Sequence, residues 1–251
     1  MTEARSPRKG RVEDYRLTTG QGRYTDDLKA EGALWSVFVR SPYASAGIGE
    51  IDLSEALEMP GVVAIYTAGD LAAAGVGPSQ VAMAVEGPDG RKWEDTPRPL
   101  LADGEVRFVG EPIAMVIAGT REEAMDAAEA VMPELEERDP VVRIADARAP
   151  GAPLVHRDRP GNLAAEWARG DWAKAEAALA ASARRVRLAA PVSRVTAATM
   201  EPRTALARPE PGGRHALYAS HQNPPQMRGA LSTVFGIEAA RIRVVGGDGG
   251  G

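Results

Sequence analysis

The sequence contains no cysteine. Disulfides, thiolate-held iron–sulfur clusters and cysteine-based zinc sites are therefore excluded within its 251 residues. Histidine is scarce as well. His156, His215 and His221 share no metal-ligand spacing and read as surface residues, the last two flanking an expected strand. No metal ligand is expected from these side chains, so any redox centre must be an organic cofactor or lie on another chain. No apolar run approaches the roughly 18 residues of a membrane span. Residues 1–20 are charged throughout and lack the apolar centre of a secretory signal. These two absences imply a cytoplasmic protein without a membrane partner. An excess of positive charge is missing too: 30 Lys and Arg stand against 35 Asp and Glu, scattered among one another, for a net charge of −5. Nucleic acid is accordingly not an expected partner.

What is present is an ordinary globular composition, 44% hydrophobic and 26% charged. The length suffices for one large domain or two modest ones. Residues 1–19 read as a charged, loosely ordered lead-in. Residues 34–39 are apolar on both faces, as in a buried strand. Asp52-Leu53-Ser54-Glu55 starts a helix that Pro60-Gly61 stops, and the β-branched run 62–67 is a second strand. Residues 75–104, rich in Gly, Pro and Asp, form a long loop. Residues 112–118 are a short buried strand. Thr120 and Glu123 then fit a capping box, with the helix passing through Ala124, Ala128 and Val131 and ended by Pro133. The acidic run 134–137 reads as a solvated face. The alternation of strands and helices is mixed, with connections too irregular for a doubly wound sheet.

Residues 138–161 shift to Pro, Ala, Asp and Arg, the composition of an interdomain linker. Asp171 is a natural N-cap for a helix with Trp172, Ala175 and Leu179 on one face. Trp167 and Trp172 read as packing residues. Residues 185–188 alternate polar and apolar, as in a half-buried strand. Further strands are expected at 204–207 and 216–220, joined by a turn at Gly212-Gly213. Asn223-Pro224 opens a helix that Gly236 closes. A final strand, 242–245, feeds the glycine-rich run 246–251.

Several segments, in order, resemble the large subunit of the xanthine dehydrogenase/aldehyde oxidase family of molybdenum hydroxylases. They begin with Gly22-Arg23-Tyr24-Thr25-Asp26-Asp27-Leu28, Val39-Arg40-Ser41-Pro42-Tyr43 and Pro60-Gly61-Val62-Val63. Gly110-Glu111-Pro112-Ile113 and Glu122-Glu123-Ala124 continue the likeness. These resemble the family's first domain, the a/b hammerhead. Asn162-Leu163, Gly170-Asp171, Met200-Glu201-Pro202-Arg203, Ser220-His221-Gln222-Asn223-Pro224 and Arg241-Ile242-Arg243-Val244 resemble the opening of its molybdopterin-binding domain. The resemblance implies an α+β fold: a hammerhead domain over 20–137, a linker over 138–161, and over 162–251 the first part of a mixed α/β molybdopterin-binding domain. Two departures stand out. Tyr43 and Ser45 replace histidines usual in the family, and the sequence reaches only the third glycine of a loop that in the family usually reads Gly-Gly-Gly-Phe-Gly.

The resemblance further implies oxidative hydroxylation of an aldehyde or N-heterocycle with water as oxygen source. The cofactor would be molybdopterin, in bacteria often its cytosine dinucleotide, with FAD and 2Fe-2S clusters on partner subunits. A further chain would supply the remaining cofactor-binding part. The family's activating glutamate lies beyond this span, so no catalytic residue is assigned, and the 251 residues alone are expected to be inactive. An assembly subunit without catalysis and an inactive truncated product are the alternatives.

Candidate cofactor-binding residues are Gln222, Gly249, Gly250 and Gly251. A glycine turn after a strand brings backbone N–H groups close to an anion or oxo ligand. A flexible chain end has the same composition. Gln222, between a strand and a capped helix, either donates to a cofactor oxygen or closes the loop. Glu201 and Arg203 pair with neighbours to fix the loop beneath.

Overall fold

The computed structural model describes residues 10–80, 85–93, 96–190, 192, 195, 196 and 198–249. In chain order the elements are α1 (Asp14–Thr18), β1 (Trp35–Arg40), β2 (Ala46–Asp52), α2 (Ser54–Glu58), β3 (Val62–Tyr66) and α3 (Ala68–Ala73). There follow β4 (Val85–Glu86), β5 (Lys92–Trp93), β6 (Glu105–Val106), β7 (Pro112–Ala118), α4 (Arg121–Ala130) and β8 (Met132–Glu137). The last are α5 (Ile144–Ala147), α6 (Trp172–Ala181), β9 (Ala205–Glu210), β10 (Arg214–Ala219), α7 (Pro224–Phe235) and β11 (Ile242–Val245). The fold is α+β, in two compact units: residues 33–194, and residues 1–32 together with 195–251. No helix among the described residues is long and apolar enough to cross a membrane.

The larger unit is built around β7, the centre of an antiparallel sheet in the order β1-β7-β3. Its side chains alternate between two cores. Ala114 and Val116 join Ile65 of β3, Ala56 of α2, Ala127 of α4 and Val131 in one cluster. Ile113, on the opposite face, joins Ala46, Ala102 and Val106 against a second sheet in the order β6-β2-β8. The small side chains of Ala114, Ala124 and Ala127 allow α4 to lie close on the sheet, and all three are fully buried. Burying a side chain the size of Ile113 stabilises by about 1.5–3 kcal/mol.

The helix starts behave as their short-range patterns require. Thr120 Oγ1 accepts from the Glu123 N–H (3.2 Å) and Glu123 Oε2 accepts from the Thr120 N–H (2.9 Å). Gly61 takes a positive φ of 79° between α2 and β3, and a Cβ there would fall on the Glu123 carboxylate. Only glycine serves at that corner.

Several expectations are corrected. The β1 strand is not buried on both faces: it is an edge strand, and Trp35 and Phe38, on opposite faces, both stay exposed. The acidic run 134–137 does present Glu134, Glu136 and Glu137 to solvent, but from a strand. It is part of β8, which pairs with β2 and turns Leu135 toward the second core. Pro133 thus stands inside a strand, and α4 has already ended at Ala130. Within 75–104 a short β4–β5 hairpin and a Ser79–Arg98 bridge add structure to the expected loop. Residues 185–188 form no strand, and Val186 and Leu188 are 95% and 87% exposed. An alternating pattern makes a strand only where a partner completes its hydrogen bonds. Trp167 and Trp172 are 67% and 78% exposed, so neither packs within this chain.

Residues 138–162 are more firmly held than linker composition suggests. The Asn162 amide donates to the carbonyls of Ala147 (3.0 Å) and Pro153 (2.9 Å) and accepts from the Val155 N–H (2.8 Å). It does so from a left-handed backbone (φ 53°), which asparagine tolerates better than most residues. The compact units also divide the chain differently from its motifs, because residues 20–32 group with 195–251.

Candidate functional site

The second unit is organised by β10. It pairs antiparallel with β9 through the Gly212-Gly213 turn, and parallel with β11. The Arg241 guanidinium secures that turn by donating twice to the Gly213 carbonyl (2.9 and 2.6 Å). A parallel pair needs a crossover, and α7 provides it. Asn223 Oδ1 accepts from the Gln226 N–H (3.2 Å), and Gly236 closes the helix in the left-handed region. Ala216, Ala219, Val234 and Ile242 are buried where α7 covers the strands.

Two loops leave the carboxyl ends of β10 and β11, the position at which open α/β sheets receive ligands. The first is 220–223 and the second is 246–249. A Cβ on Gly249 would lie 3.1 Å from Ser220 Oγ, and one on Gly246 would lie 3.7 Å from the His221 carbonyl. The two loops therefore adjoin at these two points, and at Gly249 the absent Cβ eases the approach.

The amino end of α7 is not a free anion site. Pro224 and Pro225 have no N–H, the Gln226 N–H is taken by Asn223 Oδ1, and the Met227 N–H by the Asn223 carbonyl (3.1 Å). The Asn223 N–H itself donates to His221 Nδ1 (2.9 Å). What remains facing outward is the exposed side chain of Gln222 and the backbone of the exposed glycine turn at Gly249. The structure thus places these two expected site residues on adjoining loops. Gly250 and Gly251 lie outside the described residues. Beneath the loops, Ser220 Oγ donates to Glu201 Oε2 (3.0 Å), the bracing role expected of Glu201.

The sequence reading missed one part of the surroundings. Asp248, inside the glycine turn, receives both terminal nitrogens of Arg16 and the Arg23 N–H (2.7 Å). The Arg16 guanidinium, seconded by that N–H, holds the Asp248 carboxyl well below the usual range, at about 2. No local pattern flags a pair 232 positions apart.

The larger unit has a hollow of about 540 Å³ bordered by Glu105, Arg107, Phe108, Arg138 and Arg157. Glu105 already engages the three guanidiniums, at 2.7 Å from Arg107 and 3.5 Å from Arg138 and Arg157. The cluster ties 153–157 and Arg138 to β6, so its charges are spent on bracing. Nearby, burial and the Arg107 charge push the His156 pKa down.

Comparison with known proteins places two family domains along the chain, with bounds that differ from those of the compact units. Residues 19–139 match the family model described as "Aldehyde oxidase and xanthine dehydrogenase, a/b hammerhead domain", and residues 155–251 the "Molybdopterin cofactor-binding domain". The nicotine 6-hydroxylase large subunit of Paenarthrobacter nicotinovorans is 37% identical over 96% of this chain and 29% of its own length. The carbon monoxide dehydrogenase large chain of Hydrogenophaga pseudoflava is 32% identical over 98% of this chain and 31% of its own. The crystal structure of quinoline 2-oxidoreductase from Pseudomonas putida 86 superposes with a TM-score of 0.83 at 34% identity, over 96% of this chain and 30% of that one. The chain therefore spans about three-tenths of the length of these relatives.

Proposed function

Given that the chain belongs to the aldehyde oxidase and xanthine dehydrogenase family, its hammerhead domain preceding a molybdopterin cofactor-binding domain, we propose that it forms part of a molybdenum hydroxylase. In this reading residues 20–137 are the hammerhead domain, 138–161 the connection, and 162–251 the first part of the cofactor domain. The reaction is oxidative hydroxylation of an aldehyde or N-heterocycle. The cofactor is molybdopterin, as its cytosine dinucleotide. Partner subunits carrying 2Fe-2S clusters and FAD take the electrons, and a further polypeptide region supplies the rest of the cofactor site. The assembly works in the cytoplasm.

One observation carries the reading: two adjoining loops at the carboxyl ends of parallel strands present a free amide side chain and a glycine backbone, while the neighbouring helix end is already capped. Those groups suit the oxygen-rich edge of such a cofactor, whose bound metal supplies the two-electron chemistry that turns a C–H into a C–OH with oxygen from water. Gln222 donates its amide N–H to a cofactor oxygen. Gly249 brings its backbone N–H within reach of an oxo or phosphate edge, where a Cβ would block the approach, and Gly250 and Gly251 are proposed to bind the same edge. No base for the substrate step is assigned to these residues.

The test is to produce the complete large subunit in a host that makes molybdopterin, and to compare it with the Gly249→Val and Gln222→Ala variants. Molybdenum content and dye-linked oxidation of aldehydes and N-heterocycles are measured for each. Loss of metal in Gly249→Val and impaired oxidation in Gln222→Ala are expected. Full metal and full activity in both would refute the site assignment.

A further inference from the structure

Residues 10–24 run from the charged lead-in, which ends at 19, into the first hammerhead-like motif, and the structure gives them a defined partner. Arg16 is set by α1 and by the turn after it, where the Thr19 hydroxyl donates to the Tyr15 carbonyl (2.7 Å) and the Gln21 N–H to the Arg16 carbonyl (2.9 Å). From there its guanidinium meets Asp248 as a fork, one terminal nitrogen on each carboxylate oxygen. The Arg23 N–H adds a third bond to the same carboxylate (2.7 Å), and the Asp248 N–H returns one to the Arg23 carbonyl (3.3 Å). The contact is close on the glycine side as well: a Cβ on Gly247 would lie 3.3 Å from that same carbonyl. The Asp248 side chain is only 16% exposed.

A run of glycines has no side chains to fix its backbone, and left to itself it samples many conformations. A cofactor loop must instead hold its N–H groups in one arrangement before the ligand arrives. Asp248 is the one residue of 246–251 with a side chain. Its carboxylate is held by Arg16 of the lead-in and by the Arg23 N–H of the motif that follows, while Gly249 abuts Ser220, itself bonded to Glu201. The turn is thus bracketed from both sides.

We propose that the N-terminal segment 10–24 is a positioning element for the cofactor loop: Arg16 and the Arg23 backbone clamp Asp248 and so orient the glycine N–H groups that meet the cofactor. This rests on the loop being a cofactor site, as proposed above. Arg16 and Asp248 act here as positioning residues, without touching the reacting atoms.

Two measurements separate this idea from its premise. The first is hydrogen exchange across the 251-residue chain as wild type, Arg16→Gln, Arg16→Lys and Asp248→Asn. Faster exchange at 246–249 in Arg16→Gln and Asp248→Asn is expected, with partial restoration by Lys and no change in β7. Equal exchange in all four proteins would overturn the clamp. The second is molybdenum retention during dialysis of the complete large subunit carrying the same changes. A loss of about 10–100-fold in metal affinity is expected, as for other residues that orient a metal site indirectly. If exchange rises but metal retention does not fall, the lead-in only steadies the fold and the positioning role is refuted. If Gly249→Val also leaves the metal in place, the failure lies with the cofactor-site reading instead.

Discussion

The two compact units hold together by different means. Around β7, apolar side chains from β3, α2, α4 and β2 close two cores, and Ile113, Ala114, Val116 and Ala127 lose all contact with water. Around β10, the buried apolar residues are few (Ala216, Ala219, Val234 and Ile242), and the loops are held by polar clasps: Arg241 on Gly213, Glu201 on Ser220, Arg16 on Asp248. The first arrangement draws its stability from area and is indifferent to pH. The second draws it from geometry between charged and polar groups, which ions and protons disturb. A scaffold suits the former, and a loop that must present N–H groups to a ligand suits the latter.

The contrast can be tested first where the expected effect is largest. Ile113→Ala removes the largest fully buried side chain of the second core, and should destabilise the larger unit by about 2–5 kcal/mol. Urea unfolding followed by tryptophan fluorescence reads this, because all four tryptophans (Trp35, Trp93, Trp167 and Trp172) lie in residues 33–194. An unchanged midpoint would show that the β7 core is not what stabilises this unit. Helix caps give a smaller effect and compare the two regions directly. Thr120→Ala removes the α4 cap and Asn223→Ala the α7 cap, each costing about 0.5–2 kcal/mol. The first should shift the fluorescence midpoint. The second should leave it in place and instead speed hydrogen exchange in α7.

The mildest perturbation is acid. Because Arg16 and the Arg23 N–H stabilise ionised Asp248, its folded pKa, about 2, lies below the ordinary carboxylate value of 3.8. A depressed carboxylate contributes stability that is present above its unfolded pKa and lost as pH falls through the folded one. The clamp should therefore be intact at pH 5 and release between pH 3.8 and about 2. Pepsin cleavage within the lead-in, slow at the top of that range and fast at the bottom, would show it. Asp248→Asn should be cut at the fast rate throughout, while peptides from β7 keep their protection.

Much of this was legible from short-range pattern. Thr120 with Glu123, Asp171 before Trp172, and Asn223 before Pro224 each announced a helix start three residues or fewer from the group they bond, and the hydrogen bonds are present in all three. Gly236 marked the end of α7 for the same reason: its left-handed backbone is a local requirement. Illegible were β2, whose Gly47 and Gly49 weaken any strand signal, and β8, whose glutamates read only as a solvated face until β2 pairs with them. Residues 185–188 failed in the opposite direction, with the alternation of a strand and no partner to complete it. Gln222 and Gly249 could be singled out by resemblance, but not the reason they adjoin.

By itself the sequence determined where α4, α6 and α7 begin, that 112–118 is a buried strand, and that no thiolate chemistry occurs in this span. Each of these follows from residue type or from interactions a few positions apart. Only the tertiary structure decided that β10 and β11 run parallel, so that their two loops emerge together, and that Arg16 reaches Asp248 across 232 positions. Such contacts form when the chain closes long loops around buried surface, and the entropy and packing that govern closure are properties of the whole fold, with no signature in the local order of residues.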